Sequence, residues 1–578
     1  MKKEIFKGLI DIGFILISFI MISVLISTVT QLINVDILSI NIVLSFILAI
    51  AGYLIFRRKE NIIYKSLCIL TTIIAFIVSL IVACNIFDIS YDANYYHKPA
   101  IGMIKEGFNP FYNNTYDFLK ETIPEIADEK VALWIDHYPK ASWQFGAAMY
   151  SLTGNIEAGK LQTLLVMLSA LCLTIGYLGS RFYKFWQATI IGLVLACSPI
   201  VLSQMFAYYV DGLMAILIYM NILLLLMIYD KKYTDISMNE KWIYLMFVIG
   251  YAMNLKFTGV FFTGIFSLMF YLYNLFINRK NKELLKIFIN DTVRFVVVVI
   301  FGIVIIGSNS YIKNTVDHLN PLYPLIGNED IDIVTTMQPQ VYGKMNRVEK
   351  LFNSIFSKSE NVTYYSEDKP QLKTPFTFTK EEVDNIGIAD IRIGGFGVLY
   401  SGIFILTIIL ILNICVYFFK NKNDSVIKYL FLIIFAIIII TCVLEEAWWA
   451  RYSPQIYLLT IIAIAGNLYI CNKKNINKIV KVCTYIVLAI TLIAICYNSL
   501  VFIKHRYLEF KSSRITRNDL EYIKDKKLDI FEINIDTESK KGILYNLKDF
   551  DINYKIVEEN KEFNKYTYSW QIRFKEIE

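Results

Sequence analysis

Residues 64–100 read "YKSLCILTTIIAFIVSLIVACNIFDISYDANYYHKPA", an apolar stretch that ends in a cluster of polar and aromatic side chains. About 20 helical residues, at 1.5 Å each, cross a hydrocarbon layer of ~30 Å. The apolar part, residues 64–88, therefore predicts a membrane-spanning helix. The remainder places an aspartate, a histidine, a lysine and three tyrosines directly after the end of that helix. An ionisable side chain beside the bilayer core is costly unless it pairs or lines a wet cavity, so these residues are candidates for function.

Similar apolar stretches recur along the whole chain. Of its 578 residues, 56% are hydrophobic and only 19% are charged, against about 25% charged in soluble domains. This composition predicts an all-α polytopic membrane protein with about 13 transmembrane helices. The predicted spans are residues 9–33, 37–56, 64–88, 161–180, 187–204, 208–229, 242–254, 258–277, 294–309, 397–419, 426–444, 452–470 and 479–503.

Basic residues set the expected orientation, because cytoplasmic loops carry an excess of lysine and arginine. If all these spans are real, seven basic clusters fall on one side, and this also explains the formal charge of +7 without a nucleic-acid partner. We therefore expect a multi-pass protein of the cell membrane with a cytoplasmic N-terminus, and the excess of isoleucine, lysine and asparagine is typical of a bacterial genome. The clusters are Lys2, Lys3 and Lys7; Arg57, Arg58 and Lys59; Arg181 and Lys184; Lys231 and Lys232; Arg279, Lys280 and Lys282; Lys420 and Lys422; and Lys473 and Lys474.

The opposite, outer side then receives three polar segments, namely loops 89–160 and 310–396 and the tail 504–578. The tail contains alternating stretches such as "LDIFEINI" and "YSWQIRFKE", which are typical of strands. We therefore predict a transmembrane domain, residues 1–503, followed by a small extracytoplasmic α/β domain, residues 504–578.

Several charged residues fall on this outer side. Asp88 and Asp92 are four apart, so a continuing helix would present both on one face. Alternatively, they sit in headgroup water and only end the helix. Asp211 and Lys256 lie near the outer ends of predicted spans. Arg451, in "EEAWWARYSP", could bind a phosphate through two parallel hydrogen bonds. Alternatively, its side chain could extend to the membrane interface or pair with a neighbouring glutamate.

Two aromatic segments complete the outer face. Tyr138 belongs to "DHYPKASWQFGAAMYSLTG", an amphipathic stretch that could anchor in the membrane interface or contact a substrate. Tyr323 lies in "NPLYPL", where two prolines favour a rigid turn or extended segment. Together, acids, cations and aromatics on one face suit a reaction on a phosphate-bearing lipid. A carboxylate could take a proton from an attacking hydroxyl while cations hold the negative charge of the leaving phosphate.

The order of these elements resembles the GT-C superfamily of membrane glycosyltransferases, nearest to bacterial family 39 relatives of the protein O-mannosyltransferases and the aminoarabinose transferase of lipid A. The resemblance covers about residues 85–470 and departs from the family in two ways. Three spans rather than one precede the first outer loop, and Ala93 stands where many members carry a second acid. The matching motifs are Asp92, Tyr96, His97 and Pro99; Tyr138 and Pro139; Asp211; Lys256–Gly259; Asn320, Pro321, Tyr323 and Pro324; and Arg451, Tyr452 and Pro454.

The resemblance implies a GT-C fold and an inverting transfer of a hexose or pentose. The donor would be a polyprenyl-phosphate sugar, and the acceptor a hydroxyl of a glycan, lipid or protein. Asp92 would be the general base or would at least orient the acceptor, and Lys256 and Arg451 would bind the carrier phosphate. The other implied substrate-binding residues are Asp88, Tyr96, His97, Tyr138, Asp211 and Tyr323.

Such an enzyme would need no cofactor. The alternative is a divalent metal held by Asp88, Asp92 and His97. Two other functions remain open from the residues, an O-antigen polymerase or ligase type of enzyme and a polysaccharide or lipid transporter. A transporter would be expected to carry broken helices and charges at mid-bilayer, whereas here the charges gather at one rim.

Overall fold

The computed structural model describes residues 2–326, 337–360, 369–526, 531–535, 538–557, 565–567 and 572–574. Over these residues the protein is a bundle of helices with one small sheet. Ten of the described helices are long and apolar enough to cross a membrane. The prediction of an all-α, multi-pass membrane protein is therefore confirmed. The remaining three predicted spans are also helical, but they are shorter or less apolar.

Three long helices open the chain, and polar residues set their limits. The second helix stops where the basic run at residues 57–59 begins, and the third starts after Asn61, whose side chain accepts a hydrogen bond from the backbone N–H of Ile63. These helices are α1 (Lys2–Leu32), α2 (Ser39–Phe56) and α3 (Ile62–Cys84).

The first polar loop folds into short helices instead of remaining irregular. Its last helix is buried along most of its length against α1 and α2. The amphipathic stretch predicted as a possible interfacial anchor is therefore part of the protein interior. The loop contains a π-helical turn (Ala93–His97), α4 (Lys98–Lys105), α5 (Thr115–Thr122), α6 (Glu129–His137), α7 (Ala141–Thr153) and 3-10 turns at Pro124–Ile126 and Ile156–Lys160.

The central helices form most of the core. The predicted span 187–204 is two helices, because Pro199 lacks an N–H and starts a new helix. The elements are α8 (Leu161–Arg181), α9 (Phe185–Ala196), α10 (Pro199–Gln204), α11 (Asp211–Tyr229), α12 (Met238–Leu255), α13 (Thr258–Ile277) and α14 (Leu284–Val299), which continues as a π-helix (Ile300–Ile305) and a 3-10 turn (Ile306–Asn309).

The last third of the bundle follows the second polar loop. Its final helix is 48 residues long and continues to Asp525, beyond the predicted end at residue 503. The elements are α15 (Tyr311–His318), α16 (Arg347–Phe356), α17 (Lys380–Asn385), α18 (Tyr400–Lys420), α19 (Ser425–Val443), α20 (Gln455–Cys471), α21 (Lys478–Asp525) and 3-10 turns at Gln340–Lys344, Glu445–Trp448 and Ala450–Tyr452.

A four-stranded mixed sheet and a short helix lie in the C-terminal segment. The elements are β1 (Phe531–Ile535), a 3-10 turn (Glu538–Ile543), α22 (Leu544–Asp549), β2 (Tyr554–Ile556), β3 (Lys565–Thr567) and β4 (Ile572–Phe574). The strand order is β2-β1-β4-β3, with β1 and β2 parallel and the other pairs antiparallel. The division of the chain into two domains stays a prediction.

The short helix α22 packs directly on the first loop. The Asn546 side chain accepts a hydrogen bond from Lys98 Nζ at 2.9 Å and donates one to Glu157 Oε1 at 2.9 Å. Lys98 and Glu157 themselves form an ion pair with no exposed side-chain surface. The packing is close, since a Cβ at Gly102 would overlap the Tyr545 ring. The C-terminal segment thereby supports the loop that carries Asp92.

The helix directions define two ends of the bundle. Glu240 lies in the first turn of α12 and Lys256 directly follows its last residue, so 18 residues separate the ends by about 27 Å. We call the end that contains Asp92 and Lys256 the site end, and the end that contains Arg57 and Glu240 the opposite end.

Candidate active site

Arg451 is the centre of a charged cluster at the site end. It lies on the 3-10 turn between α19 and α20, with 9% of its side chain exposed. Its Nη1 is 3.2 Å from Asp92 Oδ2 and 3.2 Å from Asp390 Oδ1, and its Nε is 3.8 Å from Asp211 Oδ2. One guanidinium therefore faces carboxylates from three separate segments of the chain.

Lys256 adds a second cation to the cluster. The chain is extended at Lys256, where α12 ends and before α13 begins, and this break directs the side chain across the site. Its Nζ donates a hydrogen bond to Asp211 Oδ1 at 2.7 Å and lies 4.1 Å from the centre of the Tyr452 ring. Asp211, the first residue of α11, thus lies between Lys256 and Arg451.

Aromatic rings hold the Arg451 guanidinium in place. The rings of Tyr209, Trp449 and Tyr452 lie 5.1, 4.9 and 4.7 Å from it, within the range of cation–π attraction. Nη2 also donates a hydrogen bond to the Tyr452 hydroxyl at 2.7 Å. These contacts fix the plane of the guanidinium, so that its N–H groups are oriented before a ligand arrives.

The π-helical turn after Asp92 positions Tyr96 and His97 beside an aromatic wall. His97 Nδ1 accepts a hydrogen bond from the Trp143 indole N–H at 2.7 Å. Burial lowers the pKa of His97 to about 3, so the ring is neutral and carries its hydrogen on Nε2. Tyr138 stacks on Trp143 at 5.7 Å, and the Tyr96 ring lies 6.1 Å from that of Tyr138.

Two carboxyl groups of the cluster have raised pKa values. Burial raises the pKa of Asp92, and the attraction of Arg451 opposes that rise only in part. Burial likewise raises the pKa of Asp390 to about 6, against the attraction of Arg451, and the nearby charge of Asp92 contributes to the rise. Both groups are therefore more basic than ordinary aspartates, and Asp390 changes charge near neutral pH.

One donor of Arg451 has no hydrogen-bond partner. Among the residues that the structure describes, the buried Nε atom has no acceptor within hydrogen-bond distance, and Asp211 at 3.8 Å is too far to serve as one. A buried N–H group without an acceptor costs about 1–3 kcal/mol. An anionic ligand at this position would remove that cost.

Two of the predicted substrate-binding residues lie outside the cluster. The Asp88 carboxylate accepts hydrogen bonds from the backbone N–H groups of Tyr208 at 2.6 Å and Ser90 at 2.9 Å. Residues 88–90 are not helical, so Asp88 and Asp92 do not share a helix face as expected. Tyr323 stacks on His318 with ring centres 3.7 Å apart and belongs to a different aromatic group. The structure instead brings together the remaining predicted residues, which are Asp92, Tyr96, His97, Tyr138, Asp211, Lys256 and Arg451.

Sequence reasoning missed Asp390 and the rings of Tyr209 and Trp449. Asp390 stands in "ADIRIGG", where two charged residues alternate with isoleucines directly before a predicted span. That placement of charge beside a membrane helix is the same signal that identified Asp92, and it was available for Asp390. The two aromatic residues had no such marker, because aromatics are common at membrane interfaces.

The alternative metal site at Asp88, Asp92 and His97 is not assembled. In the described part of the chain, no three histidine, cysteine or acidic side chains are grouped as metal ligands. Asp88 uses both carboxylate oxygens for backbone N–H groups, and His97 Nδ1 is occupied by Trp143. Independence of a cofactor stays a prediction.

Comparison with known proteins gives a limited likeness. No family model matches the chain, and no curated protein sequence matches it. Among solved structures, it is similar to two crystal structures of ArnT from Cupriavidus metallidurans, one in the apo state and one bound to undecaprenyl phosphate. Each comparison covers 86% of both chains with 12% sequence identity and a TM-score of 0.44. This likeness is too distant to assign an activity. The evidence for a function therefore comes from the contacts around Arg451.

Proposed function

We propose that the protein is a GT-C-type glycosyltransferase of the cell membrane. It transfers a sugar from a polyprenyl-phosphate carrier to an acceptor hydroxyl at the extracytoplasmic face. The observation that carries this proposal is the contact of Asp92 with Arg451 at 3.2 Å, beside the pair of Asp211 and Lys256. A carboxylate of raised pKa thus lies in one cluster with two cations, which brings a proton acceptor and a phosphate site within reach of the same substrate.

The carrier phosphate binds to Arg451 and Lys256. The Nε donor of Arg451, which has no acceptor in the described part of the chain, supplies one hydrogen bond, and the fork geometry of a guanidinium matches two phosphate oxygens. Lys256 supplies a point charge from the other side of Asp211. Asp211 and Asp390 hold the two cations in position while the site is empty.

The reaction is an inverting displacement at the anomeric carbon. The acceptor oxygen forms a bond to this carbon while the bond from the carbon to the phosphate oxygen breaks. Asp92 takes the proton of the acceptor hydroxyl, and the polyprenyl phosphate leaves with the bonding electron pair. Arg451 and Lys256 stabilise the charge that develops on the leaving oxygen, which lowers the barrier because they are already oriented.

A groove between α12, α13 and α14 suits the polyprenyl chain. It has a volume of about 380 Å³, is lined mainly by apolar side chains, and reaches Met253, three residues before Lys256. Leu268, Val296 and Val299 on its walls are 54%, 50% and 45% exposed. Exposed apolar side chains on membrane helices face lipid, so a carrier chain could lie here while its phosphate reaches Lys256.

The sugar lies against the aromatic wall. Tyr96 and Tyr138 offer ring faces for stacking on the apolar face of a sugar, and the His97 Nε2–H group is a hydrogen-bond donor. Which hexose or pentose fits, and which glycan, lipid or protein accepts it, follows from the experiment below.

The test is to incubate the purified protein with a panel of undecaprenyl-phosphate sugars and candidate acceptors, with and without a metal chelator. We expect release of undecaprenyl phosphate from at least one donor, at the same rate when the chelator is present. Movement of the donor across a vesicle membrane without release of the carrier would contradict the proposal and indicate a transporter.

A further inference from the structure

A second cavity lies at the opposite end of the bundle. It has a volume of about 820 Å³ and is bounded by α8, α11, α13, α19 and α20. This volume lies within the range of about 300–1,000 Å³ that is common for small-molecule sites. Asp230, on its wall, follows the last residue of α11, whereas Asp211 of the active site is the first. The 19 residues of α11 therefore separate the two sites by about 28 Å.

The mouth of this cavity is strongly basic. Five basic side chains line it, with Asp230 as the only acid among the lining residues that the structure describes. Arg181 pairs with Asp230 at 2.6 Å, which neutralises that acid. Lys232 and Lys428, in contrast, form no ion pair within the described ranges. Of the other two basic residues, Lys473 pairs with Asp424 at 3.0 Å, and Lys231 donates a hydrogen bond to the Asn278 amide oxygen at 3.4 Å.

The interior of the cavity is apolar and deep. On α11 the lining extends from Tyr229 at the mouth to Tyr219, ten residues earlier, which corresponds to about 15 Å of depth. Isoleucine and leucine side chains of α11, α19 and α20 form the deep part, including Ile461. A stack of Tyr429 on Phe270, with ring centres 5.6 Å apart, closes the side between α13 and α19.

We propose that this cavity binds an anionic phospholipid from the adjacent leaflet. The phosphate lies among the uncompensated lysines at the mouth, and one hydrocarbon chain enters the apolar interior. Free phosphate alone would leave the deep part empty, and a neutral lipid would leave Lys232 and Lys428 without a counter-charge. This proposal does not depend on the glycosyltransferase activity, because it uses none of the residues at the site end.

The experiment is native mass spectrometry of the delipidated full chain in neutral detergent. The probes are phosphatidylglycerol, phosphatidylcholine with the same chains, and inorganic phosphate. We expect the Lys428→Glu variant to bind phosphatidylglycerol about thirtyfold more weakly, since each charge near the surface contributes about 1 kcal/mol and the reversal changes two. The matched control is Lys474→Glu, because Lys474 is exposed at the same end and outside the cavity.

A second variant tests the apolar interior. Ile461→Trp fills the deep part, and we expect it to reduce phosphatidylglycerol binding more than tenfold while the lysines remain. If this variant does not fold, the Lys428→Glu variant still decides the question. Lys428 is partly exposed, so its substitution should not prevent folding. Equal binding of phosphatidylcholine, unchanged binding by Lys428→Glu, or binding of inorganic phosphate that depends on Lys428 would overturn the proposal.

Arg451→Ala should remove only lipid bound at the site end, which separates the two sites.

Discussion

Two arginines, one at each end of the bundle, bind carboxylates in different ways. Arg57 at the opposite end contacts Asp11 at 2.7 to 2.9 Å and Glu240 at 2.6 and 3.1 Å, and all three of its nitrogens take part. Arg451 at the site end has two contacts of 3.2 Å with Asp92 and Asp390 and leaves Nε without a hydrogen-bond acceptor among the described residues. All guanidinium nitrogens of Arg57 thus contact a carboxylate, whereas Arg451 keeps one donor without an acceptor among the described residues.

This difference separates a structural charge from one that can bind a ligand, as we propose for Arg451. A fully paired buried arginine joins helices, and losing it leaves uncompensated charges in the protein interior. An arginine with loose contacts and a free donor can exchange its carboxylate partners for a ligand. Burial alone does not distinguish the two cases, since both side chains are less than one-tenth exposed.

The largest expected effect comes from the proposed base. Asp92→Asn should reduce transfer by about 10²–10⁴-fold, which is the usual contribution of general acid–base catalysis, because an amide cannot accept the proton. Carrier release by the purified variant measures this effect. Asp88→Asn is the control, and we expect it to affect stability more than turnover, since Asp88 accepts only backbone hydrogen bonds. Normal turnover by Asp92→Asn would remove the base assignment.

The second prediction concerns Arg57. Arg57→Ala should lower the free energy of unfolding by about 3–5 kcal/mol, because Asp11 and Glu240 would remain buried without a cation. Thermal unfolding of the purified protein measures the loss. Transfer per folded molecule should not change. A variant with normal stability but poor transfer would show that Arg57, and not only Arg451, serves the reaction.

The third prediction concerns the phosphate site. Lys256→Ala and Arg451→Ala should each weaken donor binding by about 10- to 100-fold, because a hydrogen bond to a charged group contributes about 1.5–3 kcal/mol. Donor titrations at saturating acceptor measure this change. Arg347→Ala, at a half-exposed arginine near Glu445, is the matched control and should have no effect. If both variants raise only the acceptor KM, the phosphate assignment is wrong.

The smallest effect is a pH dependence of donor binding. Asp390, with a pKa of about 6, competes with the donor phosphate for Arg451 when it is ionised. As the pH falls through 6 this carboxyl becomes protonated, so donor affinity should rise several-fold between pH 7.5 and 5.5. Asp390→Asn should bind the donor with little pH dependence. An unaltered pH profile in this variant would show that another group titrates.

Much of the fold could be predicted because membrane helices depend on a simple physical requirement. Every predicted span coincides over most of its length with helix in the structure, since backbone groups in lipid must bond within the helix. The extension of α21 to Asp525 was not predictable from hydropathy, because polar residues after position 503 end the apolar signal but not the helix. The break at Pro199 differs from the single span predicted over residues 187–204, although the proline marks it in the sequence.

The candidate site could be predicted only where one residue carries its own signal. Asp92, Asp211, Lys256 and Arg451 are charges beside apolar stretches, and the structure brings them together. The place of Asp88 could not be foreseen, because one of its two backbone partners is the N–H group of Tyr208, far along the chain. Such a contact depends on tertiary packing and leaves no pattern in the sequence.

The contact of α22 with the first loop has a consequence for biosynthesis. Chains are made from the N-terminus, so the loop that follows α3 emerges long before residues 544–549 exist. Until then the buried ion pair of Lys98 and Glu157 lacks the hydrogen bonds that both side chains make with the Asn546 amide. We therefore expect a nascent or prematurely terminated chain that lacks α22 to insert its helices in the membrane while the loop around Asp92 still lacks this support.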